Sequence, residues 1–97
     1  MAYVYILSEH EEHGAENVEA TLDRSLLQGM LERRLEQMVC RPGEKEGFVK
    51  STMSRFQGLS NISDEELVKK MTENGGSGIS LSGLWGGPQL HVIKLAE

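Results

Sequence analysis

Residues 2–7 are six consecutive uncharged residues, dominated by β-branched and aromatic side chains, and they predict a buried β-strand at the start of the chain. Because successive side chains of a strand point to opposite faces, both faces of this strand are apolar. One face carries Val4 and Ile6, and the other carries Tyr3, Tyr5 and Leu7. Neither face can be left to water, so the strand belongs in the middle of a sheet that the rest of the chain covers.

The chain is predicted to form a single domain, residues 1–97, because 97 residues can bury one core but not two. Its 38% apolar and 26% charged residues are typical of globular proteins and disfavour the disordered and disulfide-rich classes. A single cysteine, Cys40, can form no internal disulfide and favours a reducing, cytoplasmic location. The apolar start is too short for a membrane span and has no basic segment before it, so we expect neither a membrane anchor nor a signal peptide.

The net charge of −5 is unevenly distributed along the sequence. Residues 1–23 carry six acids and no Lys or Arg, residues 24–58 carry seven bases against four acids, and residues 59–97 carry three bases against five acids. A nucleic-acid backbone requires a positive surface, so this balance argues against direct binding to nucleic acid. The acidic first block favours a protein partner with a basic surface instead.

Two more strands and three helices follow from the periodicity. Residues 17–21 alternate between apolar and polar side chains, which is typical of an edge strand, and residues 89–95 return to strand character. Apolar residues at three- and four-residue spacing predict helices over residues 25–39, 44–57 and 63–73. We therefore predict an α+β fold with a three-stranded antiparallel sheet in the order 2-1-3, in which the first strand is central. The three helices are inserted between strands 2 and 3 and packed on one face.

Capping residues mark the ends of these helices. Ser25 with Gln28, and Ser63 with Glu66, fit the capping box at the starts of the first and third helices. Gly58 is predicted to end the second helix as its C-cap. The inward stripe of the first helix contains an arginine among apolar residues: Leu27, Met30, Leu31, Arg34, Leu35, Met38 and Val39. The inward stripe of the second helix consists of Phe48, Val49, Thr52, Met53 and Phe56.

The most distinctive cluster of charged side chains lies in residues 8–16, between the first two strands. Closely spaced like charges repel one another and resist burial, so we expect a mobile, exposed loop that acts through its charge. The residues predicted to bind a partner are Glu9, His10, Glu11, Glu12, His13 and Glu16. Imidazole and carboxylate groups also bind divalent metals, but the spacing of His10 and His13 is specific only on a helix, so we predict no metal site.

A second candidate site lies in residues 75–88, which contain six glycines in fourteen residues together with large apolar side chains. We interpret this segment first as an ordered turn that carries Trp85 into the core. Alternatively, glycine backbone and an indole ring form a small-ligand module for a nucleotide-like molecule. Its binding residues would be Gly76, Ser77, Gly78, Trp85, Gly86 and Gly87. The spacings of the known phosphate-binding motifs are absent, so this function remains the alternative.

No residues in the sequence have a spacing that implies catalysis. A nucleophilic Cys40 would need a base and an orienting group, and nothing ties any of the three histidines to it. His91 falls in the last strand, and we interpret it as a half-buried sheet residue. We therefore predict that the protein is not an enzyme and needs no cofactor.

In size and charge the whole chain resembles the small acidic binding and inhibitor proteins that phages and mobile elements encode. The resemblance implies a protein that blocks a host factor or sequesters a small signalling molecule. The residues themselves favour a non-enzymatic protein that binds a macromolecular partner and forms homo-oligomers, because three strands and three short helices leave one face of the sheet to be covered. Either the glycine-rich segment or a second copy of the chain would cover it.

Overall fold

The fold is described by a computed structural model that covers residues 2–11, 14–38, 41–73, 75, 78–82 and 87–95, with the backbone alone for residues 10, 11 and 14–17. The elements in these ranges are β1 (Tyr3–Glu11), β2 (Gly14–Thr21), a short 3-10 helix (Arg24–Leu26), α1 (Leu27–Gln37), α2 (Lys45–Ser60), α3 (Asp64–Glu73), β3 (Ile79–Ser80) and β4 (Pro88–Lys94). The strands form one antiparallel sheet in the order β2-β1-β4-β3. The predicted α+β class is therefore confirmed.

The sheet of the described residues has four strands, so the prediction of three strands in the order 2-1-3 is wrong. The additional strand, β3, has only two residues, Ile79 and Ser80, which pair with Leu90 and Gln89 of β4. Two residues are too few to produce a recognisable alternation. The placement of the helices differs accordingly, because α1, α2 and α3 precede β3 rather than the last strand. The first strand does lie between two neighbours, β2 and β4.

The acidic segment forms part of a long β-hairpin rather than a loop. β1 continues to Glu11 and β2 begins at Gly14, so only residues 12 and 13 separate the two strands. The prediction of a loop is therefore wrong for residues 8–11 and 14–16, which lie in the two strands, whereas Glu12 and His13 lie outside the described residues. Backbone hydrogen bonds can extend a hairpin through acidic residues when the charges find partners. Glu9 does so, since its side chain is only 13% exposed and faces an arginine of α1.

The hydrophobic core lies between the helices and one face of the sheet. Its buried members are Tyr5, Leu7, Leu27, Met30, Leu31, Leu35, Phe56, Leu67, Met71, Leu81, Leu90 and Val92. The predicted stripe of α2 also faces this core, through Phe48, Val49, Thr52, Met53 and Phe56. Removal of these apolar side chains from water is the main driving force that holds the helices on the sheet.

Two of the three helix ends are marked by residues other than those predicted. Asp23 caps the turn before α1, because the backbone N–H and the hydroxyl of Ser25 donate to its carboxylate at 2.9 and 2.6 Å. These hydrogen bonds lower the pKa of Asp23. Ser63 does cap α3 and accepts a hydrogen bond from the Glu66 N–H at 3.3 Å. α2 continues through Gly58 and ends two residues later, so the predicted C-cap is wrong.

Arg24 ties the start of α1 to the corner between α2 and α3. Its Nη1 donates to Asp64 at 2.9 Å, and its Nη2 donates to the carbonyl groups of Leu59 at 3.0 Å and Ile62 at 2.6 Å. Burial, followed by hydrogen bonding to Asp64 and the negative charge of that carboxylate, raises the pKa of Tyr5 to about 12.

Tyr5 should therefore stay protonated in the native protein at pH values at which an exposed tyrosine ionises. Because its pKa is raised from 10.0 to about 12, it stabilises the fold below about pH 10, and this stabilisation is lost as the pH rises towards 12. We expect an absorbance titration of tyrosinate to show a late transition that disappears in a Tyr5→Phe variant. An unchanged titration in that variant would contradict the assignment.

Candidate functional site

A buried arginine joins α1 to the hairpin. Arg34 lies on the inward stripe of α1, and only 4% of its side chain is exposed. Its Nη2 donates to the Leu7 carbonyl at 3.2 Å and to Glu19 at 3.0 Å, and its Nη1 lies 3.7 Å from the Glu9 carboxylate. A buried charge needs an opposite charge and hydrogen-bond acceptors, and the hairpin supplies both. Arg34 thereby holds β1 and β2 against the helix.

β2 is the outermost strand on one side of the sheet. It is eight residues long, whereas the strand at the opposite edge, β3, has two residues. No other strand of the described residues pairs with its outer side. The register of β2 against β1 shifts between Leu7 and Glu9, so the regular part of this edge that lies beside α1 is the segment Glu19 to Thr21. The outward backbone groups of this segment are donors and acceptors to which another strand can pair.

The register shows which β2 backbone groups point outward. Val92 directs its N–H away from β1, since that N–H donates to the Met71 sulfur at 3.0 Å. Its partner across the ladder, Tyr5, therefore directs its own N–H and carbonyl towards β2, where it is paired with Thr21. Successive residues of a strand alternate in this direction, so the N–H and carbonyl of Ala20 point to the free edge.

A groove of about 710 Å³ runs beside this edge, between β2 and α1. Its lining includes Glu19, Ala20 and Thr21 of β2, and Leu26, Gly29, Met30, Glu32, Arg33 and Glu36 on the helical side. Leu26 is 53% exposed, and a side chain at Gly29 would meet no atom within 4 Å. The helical wall is therefore open and partly apolar, with room for an extended chain alongside β2.

The rim of the groove is negatively charged. It has three carboxylates, from Glu19, Glu32 and Glu36, against one guanidinium, from Arg33. Glu19 is held by the buried Arg34, whereas Glu32 and Glu36 are exposed on α1. Carboxylates at the mouth of a groove attract cationic side chains and repel anionic ones.

The sheet has a second face, turned away from the helices. We define this second face by Val4, Ile6, Ser8, Val18, Ala20, Leu22, Gln89, His91, Ile93 and Leu95, which alternate with the residues that face the core. Its most exposed large apolar side chains are Leu22 at 70%, Val18 at 58% and Ile93 at 45%. His91 is half-buried in β4, as predicted, and burial lowers its pKa.

Four of the six residues predicted to bind a partner lie in the strands of the hairpin. Glu9 faces the buried arginine. His10, Glu11 and Glu16 also lie in the two strands. Glu12 and His13 lie outside the described residues. The structure places the hairpin strands at the same edge of the sheet as the groove. Their role in partner binding stays a prediction.

The glycine-rich candidate site is described only at its ends. Gly76, Ser77, Trp85 and Gly86 lie outside the described residues, as does Cys40. Gly87 is buried, and Gly78 lies against the His91 ring, because an added Cβ there would come within 2.8 Å of both ring nitrogens. Packing against His91 is therefore sufficient reason for a glycine at position 78. The turn that carries Trp85 inward and the small-ligand site stay predictions.

The inward position of Arg34 on α1 and the edge position of β2 were both predicted from the sequence, and the structure confirms them. Two features of the site were not predicted: the contacts of Arg34 with Glu9 and Glu19, and the outward direction of the Ala20 backbone groups. Both depend on how β1, β2 and α1 are placed relative to one another, and local periodicity carries no signal for that placement.

Comparison with protein-family models, with curated proteins and with solved structures found no match to this chain. Among the residues that the structure describes, no group of three or more His, Cys, Asp and Glu side chains is arranged to hold a metal ion. No helix in the same ranges is long and apolar enough to cross a membrane. The function is therefore inferred from the groove and the sheet themselves.

Removal of the buried arginine should destabilise the protein far more than removal of its exposed neighbour. Arg34→Ala leaves the largely buried Glu9 without this counter-ion, so we expect the free energy of unfolding to fall by about 3 kcal/mol. Arg33→Ala, at an exposed position of the same helical turn, should change it by less than about 0.5 kcal/mol. Urea denaturation measures both, and equal losses would show that burial of the Arg34 charge is unimportant.

Proposed function

We propose that this protein is a non-enzymatic binding protein that holds an extended, basic segment of a protein partner by strand addition to β2. The observation that carries the proposal is the outward direction of the Ala20 backbone groups on a free edge beside a groove. An added strand would continue the sheet and gain its affinity from main-chain hydrogen bonds. This mode of binding requires neither a catalytic group nor a cofactor.

The groove adds contacts for side chains of the bound segment. A strand paired with β2 directs every second side chain towards α1. These side chains would meet Leu26 and Met30 and would enter the open space beside Gly29. Apolar side chains at alternate positions of the partner therefore fit the wall of the groove, while the positions between them remain open to solvent.

The charge of the edge favours a basic segment. Glu32 and Glu36 are exposed at the rim, and the first 23 residues, which include both hairpin strands, carry six acids and no Lys or Arg. Lysine or arginine side chains on the partner would be attracted to this edge before contact, which raises the association rate. The acidic hairpin residues predicted from the sequence would then contribute to the same attraction.

Binding of this kind can inhibit the partner by sequestering the bound segment. An inhibitory role is the one that the resemblance to phage-encoded proteins implies. Inhibition follows when the partner needs the captured segment for another contact.

Strand addition predicts that proline at position 20 prevents binding. Proline has no N–H, and the donor lost here points outward, so the ladder between β1 and β2 keeps its hydrogen bonds. We expect Ala20→Pro to weaken binding of a labelled peptide of alternating Lys and Val by about tenfold or more, and Ala20→Val to retain it. Fluorescence anisotropy measures the affinities.

The controls separate this edge from other sites. Circular dichroism and urea denaturation establish that both Ala20 variants are folded. A peptide of alternating Glu and Val has the same strand-forming pattern with the opposite charge, and we expect it not to bind. Equal binding of the Lys-Val peptide by both variants would exclude strand addition at β2.

The acidic rim predicts a salt-dependent association rate. Changing Glu32 and Glu36 together to glutamine should slow association of the Lys-Val peptide several-fold at low salt and flatten its salt dependence, with little change in dissociation. Stopped-flow fluorescence measures both rates. Because both glutamates are exposed, the free energy of unfolding should change by less than about 0.5 kcal/mol.

A matched double variant tests whether position or total charge matters. Glu65→Gln with Glu73→Gln removes the same charge from exposed positions of α3, the helix that packs on β4 rather than beside β2. Association at the normal rate in this control supports the rim as the source of the attraction. If the control slows association as much as the rim variant does, the net charge of the chain is responsible instead.

A further inference from the structure

The ten described residues that define the second face include no Asp, Glu, Lys or Arg, in a chain whose net charge is −5. Apart from His91, every one of its ten side chains is apolar or neutral and polar. Ile93, Val18 and Leu22 are between 45% and 70% exposed on it. Several large apolar side chains open to water on one face of a sheet mark an interaction surface, separate from the groove at the edge.

We propose that this second face is the interface of a homodimer, in which another copy of the chain packs its own second face against it. The absence of charged side chains on this face favours a second copy of the chain as the partner. A partner with fixed charges would lose their hydration against a face that offers no counter-ion, whereas the same face of another copy brings no such charges. Twofold dimers are the commonest oligomers, and their interfaces pair one patch with itself.

The register of the two inner strands locates the centre of this interface. β1 and β4 form seven registered pairs, and the fourth of them joins Ile6 to His91. Both side chains lie on the second face. A twofold axis through the middle of the face therefore passes beside this pair, and it brings the His91 rings of the two copies close together.

The size of the face predicts a dimer that dissociates readily. Strands of seven residues extend about 23 Å, and the three long strands together are about 14 Å wide. A face of these dimensions covers about 320 Å² per copy, which is below the roughly 600 Å² per partner of the smallest stable interfaces and in the range of weak, transient contacts. We therefore expect dissociation in the micromolar range rather than an obligate dimer.

Protonation of His91 should open the dimer. Among the described residues, the neighbours of His91 on this face of the sheet are Ile6 of β1, Gly78 before β3, and Gln89 and Ile93 on its own strand, and none of these four is charged or titratable. Burial already lowers the pKa of His91 in the single chain, so the neutral ring is the favoured form. Two imidazolium charges at the centre of an uncharged interface would repel each other without compensation.

The proposal is tested by sedimentation velocity on the full chain between about 1 and 100 µM at about pH 7.5. We expect a monomer–dimer equilibrium. Ile93→Lys and, separately, Val18→Lys place a charge on the exposed part of the face and should raise the dissociation constant by about tenfold or more. Gln57→Lys adds the same charge at an exposed position of α2 and should leave the dissociation constant unchanged.

The same measurement at about pH 5.5 tests the role of His91. The dissociation constant of the parent protein should rise about tenfold relative to pH 7.5, and that of a His91→Gln variant should not change. A chain that stays monomeric throughout overturns the proposal. So does a dimer that is lost in Ala20→Pro but kept in both lysine variants, because it would pair through the β2 edge. A dimer of the parent protein whose dissociation constant is the same at both pH values overturns the placement of His91 at the centre of the interface. Peptide binding at β2 does not enter these measurements, so the two proposals fail independently.

Discussion

The arrangement of the hairpin and α1 depends on one buried charge. Arg34 enters the core from the helix, and the Leu7 carbonyl and the carboxylates of Glu9 and Glu19 surround its guanidinium. A guanidinium removed from water is strongly destabilising unless such partners hold a fixed geometry, so helix and hairpin are restricted to one relative position. That position sets the distance between α1 and the outer strand, and hence the width of the groove. The contacts with Arg34 also allow β1 and β2 to continue through Glu9 and Glu19, although glutamate has a low strand propensity.

The parts of the fold that depend on repeated patterns could be predicted from the sequence. The apolar start predicted a central strand, and α2 buries Thr52 and Phe56 of its predicted stripe. The parts that depend on single contacts could not. β3 exists because a two-residue segment returns beside β4, and the acidic segment is paired because Glu9 meets an arginine from a distant helix. In both cases the deciding partner is far away in the sequence, where local periodicity carries no information.

The candidate site also depends on contacts between residues that are far apart in the sequence, and it was therefore harder to predict than the fold. Its decisive atoms belong to the backbone of Ala20, a small residue whose type indicates nothing about binding. Their direction follows from pairings that run from Val92 through Tyr5 to β2, across nearly the whole chain. The rim residues Glu32 and Glu36 look in the sequence like the ordinary solvated side of an amphipathic helix. The composition of the sequence therefore indicated an acidic region at the start of the chain, whereas the groove could be recognised only from the order of the strands in the sheet.

The contact between Gly78 and His91 has a consequence for how this sequence can diverge. The imidazole ring fills the volume that any side chain at position 78 would occupy, with both ring nitrogens within 2.8 Å of an added Cβ. The two positions thus share one space at the junction of neighbouring strands. Over evolutionary time, a larger residue at position 78 is compatible only with a smaller or displaced one at position 91. Homologous chains should show these two positions covarying, and the pair offers a way to recognise remote relatives after the rest of the sequence has drifted beyond resemblance.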